Sequence, residues 1–270
     1  MLMGSCFSDA IGSKLQQSGI PTLVNPFGTL FNPISIALCL ERVLNNTPMS
    51  DDDLVLHDGI WHSWLHHSRF SSTDRQGCLD RCNQSIGEAR QFLASADCLI
   101  ITFGTAYLFQ LADDGRVVSN CHKVPAQRFR RRLASPEEIV GRWSPLMEHI
   151  AQFNPNIHIV FTVSPIRHMA DGAHGNQISK STLLLAEEQL VETATTLPYP
   201  PSYFPSYEIM MDQLRDYRFY DRDMVHPSDL AIDLIFQQFQ NATMDNKTIE
   251  DCATAIRHHK QSQHRDIVKS

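Results

Sequence analysis

The sequence predicts an α/β fold built on a doubly wound, mostly parallel sheet, and three observations carry this. The stretches DCLIITFGT (97–105) and NIHIVFTVSP (156–165) are apolar and β-branched almost throughout, as strands buried on both faces must be. Each run stops at a glycine, serine or proline turn. Between the runs lie helical patterns with recognisable start and stop residues, and strands alternating with capped helices build layered α/β structures.

The elements follow in order. MLM (1–3) is the stub of a first strand, and residues 7–18 place Phe7, Ala10, Ile11 and Leu15 on one helical stripe that Gly19 ends. GIPTLVNPFG (19–28) is a weaker strand with a hard stop. A helix is expected within 73–95. YLFQLADDGRVVSN reads as a β-hairpin through Asp-Gly, decorating the strand that ends at Gly104. SPEEIVGRWSPLMEHI has Ser135 as N-cap, Pro136 at the first helical position and Glu138 to complete a capping box. Residues 179–195 form a further helix. HPSDLAIDLIFQQF is expected to start with Pro227 at its first position, followed by an apolar stripe of Leu230, Leu234, Ile235 and Phe239. Residues 1–242 are read as one domain. The His- and Trp-rich stretch 45–72 is irregular and reads as a cap-like insertion, and 243–270 is a polar tail, either a surface helix or partly disordered. Only Met1, Leu2 and Met3 precede Gly4, where a buried strand has about five or six residues. The expectation is therefore a truncated N-terminus and a short first strand.

Composition narrows the function. A chain of 270 residues that is 42% hydrophobic buries a full core. A formal charge of −7 gives no electrostatic case for nucleic acid or an anionic membrane surface. No run reaches the roughly 18 apolar residues of a membrane span, and the start lacks a signal-peptide layout. Seven scattered cysteines, an odd number, fit free thiols in a reducing cytoplasm. No phosphate loop or dinucleotide fingerprint occurs, and no cofactor is expected.

In open α/β sheets, ligands gather beyond the carboxyl ends of the strands. The residues there are Gly4-Ser5-Cys6, Asn25-Pro26-Phe27-Gly28, Gly104-Thr105, and Ser164-Pro165 followed by Arg167 and His168. Singly, each is an ordinary strand-ending turn. Together they bring a thiol, hydroxyls, glycine amides, an Arg and a His to one edge. A nucleophile there, Ser5 or Cys6, needs a base. YDRDMVHPSD supplies Asp223 and His226, spaced so that the carboxylate can hold Nδ1–H and leave Nε2 facing outward. The plain alternative is a His-Asp pair that caps a helix.

The set MGSCFSDAIG, NPFGTLFNPISI, HHSRFS, FGTAYLF, NCHKVP, VSPIRH and DMVHPSD resembles the GSCFA family, which is itself similar to the SGNH (GDSL-type) hydrolases. The match runs in order from residue 1 to about 240. The resemblance implies a flavodoxin-like three-layer α/β/α fold, with ester hydrolysis or acyl transfer as the usual chemistry. In that register Gly4 falls on the glycine of the Gly-Asp-Ser block, Ser5 on the aspartate and Cys6 on the nucleophilic serine. Gly28 matches the glycine that lends its amide to the oxyanion hole, and Asp223 and His226 match the last block. Where the superfamily has Gly-x-Asn, this chain has Gly104-Thr105-Ala106, so the side-chain oxyanion donor is missing. Asn25, Asn32, Thr105 and Asn176 are candidate replacements.

Physics adds to this register. A thiol at a helix start, beside a protonated His226, is expected to have its pKa lowered towards neutrality, a change that needs only about 2 kcal/mol. The expected catalytic triad is then Cys6, His226 and Asp223, with amides of Cys6 and Gly28 receiving the oxyanion. Arg167 and His168 are expected to bind a carboxylate, phosphate or sugar hydroxyl, unless Arg167 pairs with a local acid. His57, His62, His66 and His67 lack the acid or cysteine of a recognisable metal set, and Cys78 and Cys82 lack two further ligands, so no metal is expected. HKVPAQRFRRR (122–132) reads as a solvated basic face, and Cys121-His122 as a pocket wall. The leading expectation is hydrolysis of an acyl ester of a carbohydrate or small metabolite. An acyltransferase using a thioester intermediate and a non-catalytic binding protein are the rivals. The oligomeric state is not legible.

Overall fold

A computed structural model describes residues 1–194 and 197–267, the last ten by backbone alone. The strand β1 (Leu2–Gly4) leads directly into α1 (Cys6–Gln17), and α2 (Pro33–Asn45) follows. The antiparallel hairpin β2 (Leu54–His57) and β3 (Ile60–Ser63) precedes α3 (Arg75–Ala94) and β4 (Cys98–Phe103). A three-stranded antiparallel sheet of β5 (Tyr107–Leu111), β6 (Val117–Val118) and β7 (Phe129–Leu133) comes next. The chain continues through α4 (Pro136–Phe153), β8 (His158–Val163), α5 (Gly172–Thr193) and β9 (Ser202–Tyr203). A short α6 (Ser206–Glu208) passes into the π-helical turn Ile209–Gln213, and α7 (Asp229–Thr243) and α8 (Asn246–Ile267) end the described chain.

The main sheet has the order β1-β4-β8-β9, with all neighbours parallel. Val24 adds a parallel bridge to Leu2 on the far side of β1. In chain order the sheet therefore reads 2-1-3-4-5, the flavodoxin-like arrangement. Its strand order reverses between β1 and β4, which places a crevice at the carboxyl ends of those two strands.

Period-2 alternation divides the core. Leu99, Ile101 and Phe103 face the layer of α2, α3, α4 and α5, whereas Ile100 faces α1 and α7. Trp143 of α4 is fully buried and lies 5.3 Å from both Phe103 and Phe161. Removing an aromatic so placed costs about 3–5 kcal/mol. The result is a three-layer α/β/α sandwich, as the resemblance implies.

Several elements depart from expectation. The predicted strand 19–28 shrinks to the bridge at Val24, because prolines at 21 and 26 donate no hydrogen bonds and Asn25 (φ 44°) turns the chain away. α2 has no counterpart among the expected helices, although Asn32 caps it and Pro33 opens it. Residues 45–72 contain the hairpin β2–β3, whose Asp58-Gly59 turn has φ of 49° and 74°, the type I′ signature. Pro227 does not open α7: Ser228 is its N-cap, and the helix begins at Asp229. The basic run 122–132 is largely exposed, as expected, and its last four residues lie in strand β7, where Arg131 pairs with Asp171 and Arg132 pairs doubly with Glu138.

Hairpin β2–β3 is tied down by histidines. His66 is fully buried, hydrogen-bonded to Ser63 and Ser85 and stacked on Phe27 at 4.5 Å. His62 stacks on His122 at 4.4 Å, and His122 Nε2 donates to the Ser63 carbonyl. Burial pushes His66 down to about 3 and His122 to about 4. An unfolded histidine takes up its proton near pH 6.5. Between that pH and about 4 the unfolded chain thus binds more protons, and stability falls as pH falls. Urea unfolding across this window should show a loss of stability that His66→Phe reduces. An equal loss in the variant would remove His66 from the account.

Candidate functional site

The turn between β1 and α1 is built by close packing. Gly4 has φ +146°, and a Cβ there would lie 2.2 Å from the carbonyl oxygen of Thr102 on β4. Only glycine lets β1 stay paired with β4 up to this residue. Ser5 is buried, and its hydroxyl accepts the Phe7 amide at 3.2 Å as the N-cap of α1. Cys6, half-buried at the helix start, points to the other partner of the site. Its Sγ lies 3.7 Å from His226 Nε2.

His226 sits on an exposed loop between the 3₁₀ turn Tyr217–Phe219 and α7. Asp223 shapes that loop. One carboxylate oxygen accepts the amides of Val225 and His226 at 2.9 and 3.0 Å, and the other meets His226 Nδ1 at 2.6 Å. The His226 amide and then its ring, together with the Val225 amide, draw Asp223 down to about 2. Asp223 is therefore ionised, and it holds the imidazole with Nδ1–H towards itself and Nε2 towards the sulfur. Met224 takes up the turn at φ 61°. Arg167 clamps the loop from the end of β8: it donates to the Tyr220 hydroxyl at 2.8 Å and to the Met224 carbonyl at 3.3 Å, and it lies 4.0 Å over the Tyr220 ring. Its guanidinium is thus engaged with the loop.

The thiol does not behave as the helix-start argument expects. Burial pushes Cys6 above the usual thiol range. The amides of Cys6 and Phe7 and the nearby Lys180 pull it down, but they do not overcome burial and the negative charge of Asp9. The resting group is a neutral thiol, and its proton must be removed when it attacks.

The other expected site residues are present at this edge, mostly committed to structure. The Asn25 side chain accepts the Gly4 amide at 2.9 Å and donates to Asp9 at 2.8 Å. The Gly28 amide donates to the Asn25 carbonyl at 2.7 Å, and Gly28 holds φ +82° against His67, whose Cβ would lie 2.2 Å from an added Cβ. Asn32 caps α2. The Thr105 hydroxyl pairs with Ser179 at 2.9 Å and accepts the Tyr107 amide. Asn176 accepts the His168 amide at 2.8 Å and donates to Gln177.

Two residues at the site went unmarked in the sequence. Asp9 ties Asn25 and Thr29 to α1. Lys180, fully buried, donates to the carbonyls of Gly104 and Ser164 at 2.6 Å each, joining the ends of β4 and β8. Burial lowers it to about 7, with Glu187 and Cys6 acting in the opposite sense. A signal for it was legible: Lys180 and Glu187 lie on the same helical stripe as Leu183 and Leu190, so a charge sat on the buried face of α5.

A cavity of about 410 Å³ lies near the amino ends of the strands, lined by Met1, Leu15, Ile20 and Phe239, away from Cys6. A single α/β/α sandwich thus carries a Cys–His–Asp constellation at its switch point. The chain belongs to the GSCFA family, whose model matches residues 1–239. Among curated proteins none matches. Solved structures similar to this chain include two esterases. One is a carbohydrate esterase family 3 protein from Talaromyces cellulolyticus, with TM-score 0.41 and 12% identity over 94% of this chain and 97% of that one. The other is an acetyl esterase mutant with an acetate ion, with TM-score 0.40, 12% identity and the same coverage. No helix among the described residues is long and apolar enough to cross a membrane.

Alkylation of Cys6 by iodoacetamide, followed by mass mapping across neutral and alkaline pH, should have its midpoint above the value of about 8.5 for a free thiol. A midpoint below that value would mean that the helix start outweighs burial.

Proposed function

We propose that this chain hydrolyses an acyl ester of a carbohydrate or small metabolite through a Cys6 nucleophile, with His226 as base and Asp223 as its orienting carboxylate. The single observation that carries the reading is the continuous line from Asp223 through His226 to Cys6, 2.6 Å at one link and 3.7 Å at the other. A thiol–imidazole contact of this length is loose for a resting hydrogen bond, and such contacts tighten as substrate binds.

The chemistry follows from the neutral thiol. As Sγ attacks the carbonyl carbon, His226 Nε2 takes its proton, and the S–C bond forms while the carbonyl π pair moves onto oxygen. Collapse of the tetrahedral species breaks the C–O bond to the alcohol, and the imidazolium returns its proton to the leaving oxygen. Water then attacks the thioester with His226 again as base. The C–S bond breaks, the acid leaves and the sulfur recovers a proton. Asp223 stays ionised throughout and steadies the imidazolium. The amide of Cys6 faces its own sulfur and is one donor for the oxyanion. The hairpin β2–β3 and the segment after it, with His67 against Gly28, act as a partial cap beside the site.

Turnover of p-nitrophenyl acetate and of acetylated sugars tests this. Cys6→Ala should abolish it, and Asp223→Asn should lower kcat by about 10²–10⁴-fold. Ser5→Ala should keep the chemistry and lose about 1 kcal/mol of stability as a helix cap is removed. Full activity in Cys6→Ala would exclude the nucleophile. Faster release of p-nitrophenol on adding an alcohol or sugar would identify an acyltransferase on the same site.

A further inference from the structure

Attack on an ester carbonyl places a full negative charge on oxygen, and hydrogen-bond donors fixed where that charge develops are the largest single contribution to most acyl-transfer catalysis. The site described above is short of them. The Gly28 amide is bonded to Asn25. The side chains of Asn25, Thr105 and Asn176 are occupied by backbone groups and neighbouring side chains, and Arg167 is held by the Tyr220 loop.

Beside the Cys6 amide, a side-chain nitrogen at this edge is uncommitted among the described residues. His168 Nε2 is buried and has no hydrogen-bond partner among the described residues, a costly arrangement that calls for an explanation. Its place is informative. The point where a Cβ on Gly104 would stand is 3.3 Å from His168 Nε2 and 3.4 Å from the Cβ of Ser5. The nitrogen therefore lies over Gly104, beside the turn that presents Cys6. The backbone of His168 is fixed by its amide, which donates to Asn176 at 2.8 Å, and its ring meets Phe31 edge-on at 5.7 Å.

We propose that His168 is a catalytic residue of this site, its Nε2–H donating to the oxyanion formed when Cys6 attacks the carbonyl. The assignment rests on the esterase reading above. It involves no proton transfer from His168: the donor keeps its hydrogen, and the oxyanion's electron pair re-forms the carbonyl as the C–O bond to the alcohol breaks and His226 protonates the leaving oxygen. The electrostatic setting suits the role. Burial, then the positive charge of Lys180 behind Gly104, brings His168 down to about 4, although Asp171 pulls the other way. The ring is thus neutral at the pH where His226 acts, and it offers a hydrogen bond without serving as a competing acid. The same point lies 3.0 Å from the Phe31 carbonyl oxygen, so any side chain at 104 would crowd the nitrogen, and only glycine leaves this face of the imidazole uncovered by residue 104.

Two readouts separate this role from a structural one. Ester hydrolysis needs the oxyanion donor, whereas alkylation of Cys6 by iodoacetamide, a displacement at a saturated carbon, does not. His168→Phe should lower kcat for p-nitrophenyl acetate by about 10²–10³-fold, with KM changing little and the Cys6 alkylation rate within a factor of about three of wild type. His168→Gln, which keeps an N–H donor, should recover part of the loss. Equal losses of hydrolysis and alkylation, or no loss of either, would overturn the assignment. A wild type that turns over no ester would instead refute the esterase reading on which it rests, and the donor role with it. Should His168→Phe not fold, ¹⁵N chemical shifts of the wild-type imidazole decide: the role requires the Nε2–H tautomer, and a bare Nε2 refutes it.

Discussion

The contact on which the rest depends is the one between Gly4 and Thr102. With no side chain on Gly4, β1 lies against β4 so closely that any Cβ would meet the Thr102 carbonyl oxygen. This approach lets a strand of three residues, Leu2–Gly4, keep register with Ile100, Ile101 and Thr102 to its end. The chain then turns at once into α1, with Ser5 spent as the cap and Cys6 carried to the surface. Any larger residue at position 4 would push β1 off β4 or rotate the turn, and the sulfur would miss its partner.

That partner is delivered from the opposite end of the chain. His226 lies 220 residues away in sequence, on a loop exposed to solvent, and three separate fixings hold it. Asp223 takes the loop's amides and the ring, Arg167 stacks on Tyr220 and reaches Met224, and Ser228 starts α7 immediately after. The sheet supplies rigidity on the Cys6 side, and local hydrogen bonds supply it on the His226 side. Lys180 links the neighbouring strand ends beneath them through the carbonyls of Gly104 and Ser164.

What the sequence revealed depended on how local the signal was. β4 and β8 were legible because burial on both faces writes an uninterrupted apolar run. Cys6, Asp223 and His226 were legible because a helix start and a three-residue spacing are local patterns. α2 and the β2–β3 hairpin carried local signals too, Asn32-Pro33 and Asp58-Gly59, but stood among irregular and mixed residues that masked their periods. The roles of Asn25, Gly28 and Arg167 were not legible, since a hydrogen bond made across the fold leaves no trace in spacing. For Lys180 a charge on the buried face of α5 was legible, but its partners, two carbonyls just past the ends of different strands, were not. The direction of the Cys6 shift went the wrong way for a related reason: a helix start is visible in sequence, whereas the burial that outweighs it is a property of the packed turn.

The proposed catalysis turns on covalent attack by one sulfur. Rapid mixing of the protein with p-nitrophenyl acetate, acid quenching within the first turnover and fragmentation mass spectrometry would read it directly. An acetyl group on Cys6, which accumulates in wild type and is absent from His226→Ala, is the predicted result. Turnover with the acetyl group on Ser5, or with no acyl-protein at all, would contradict it.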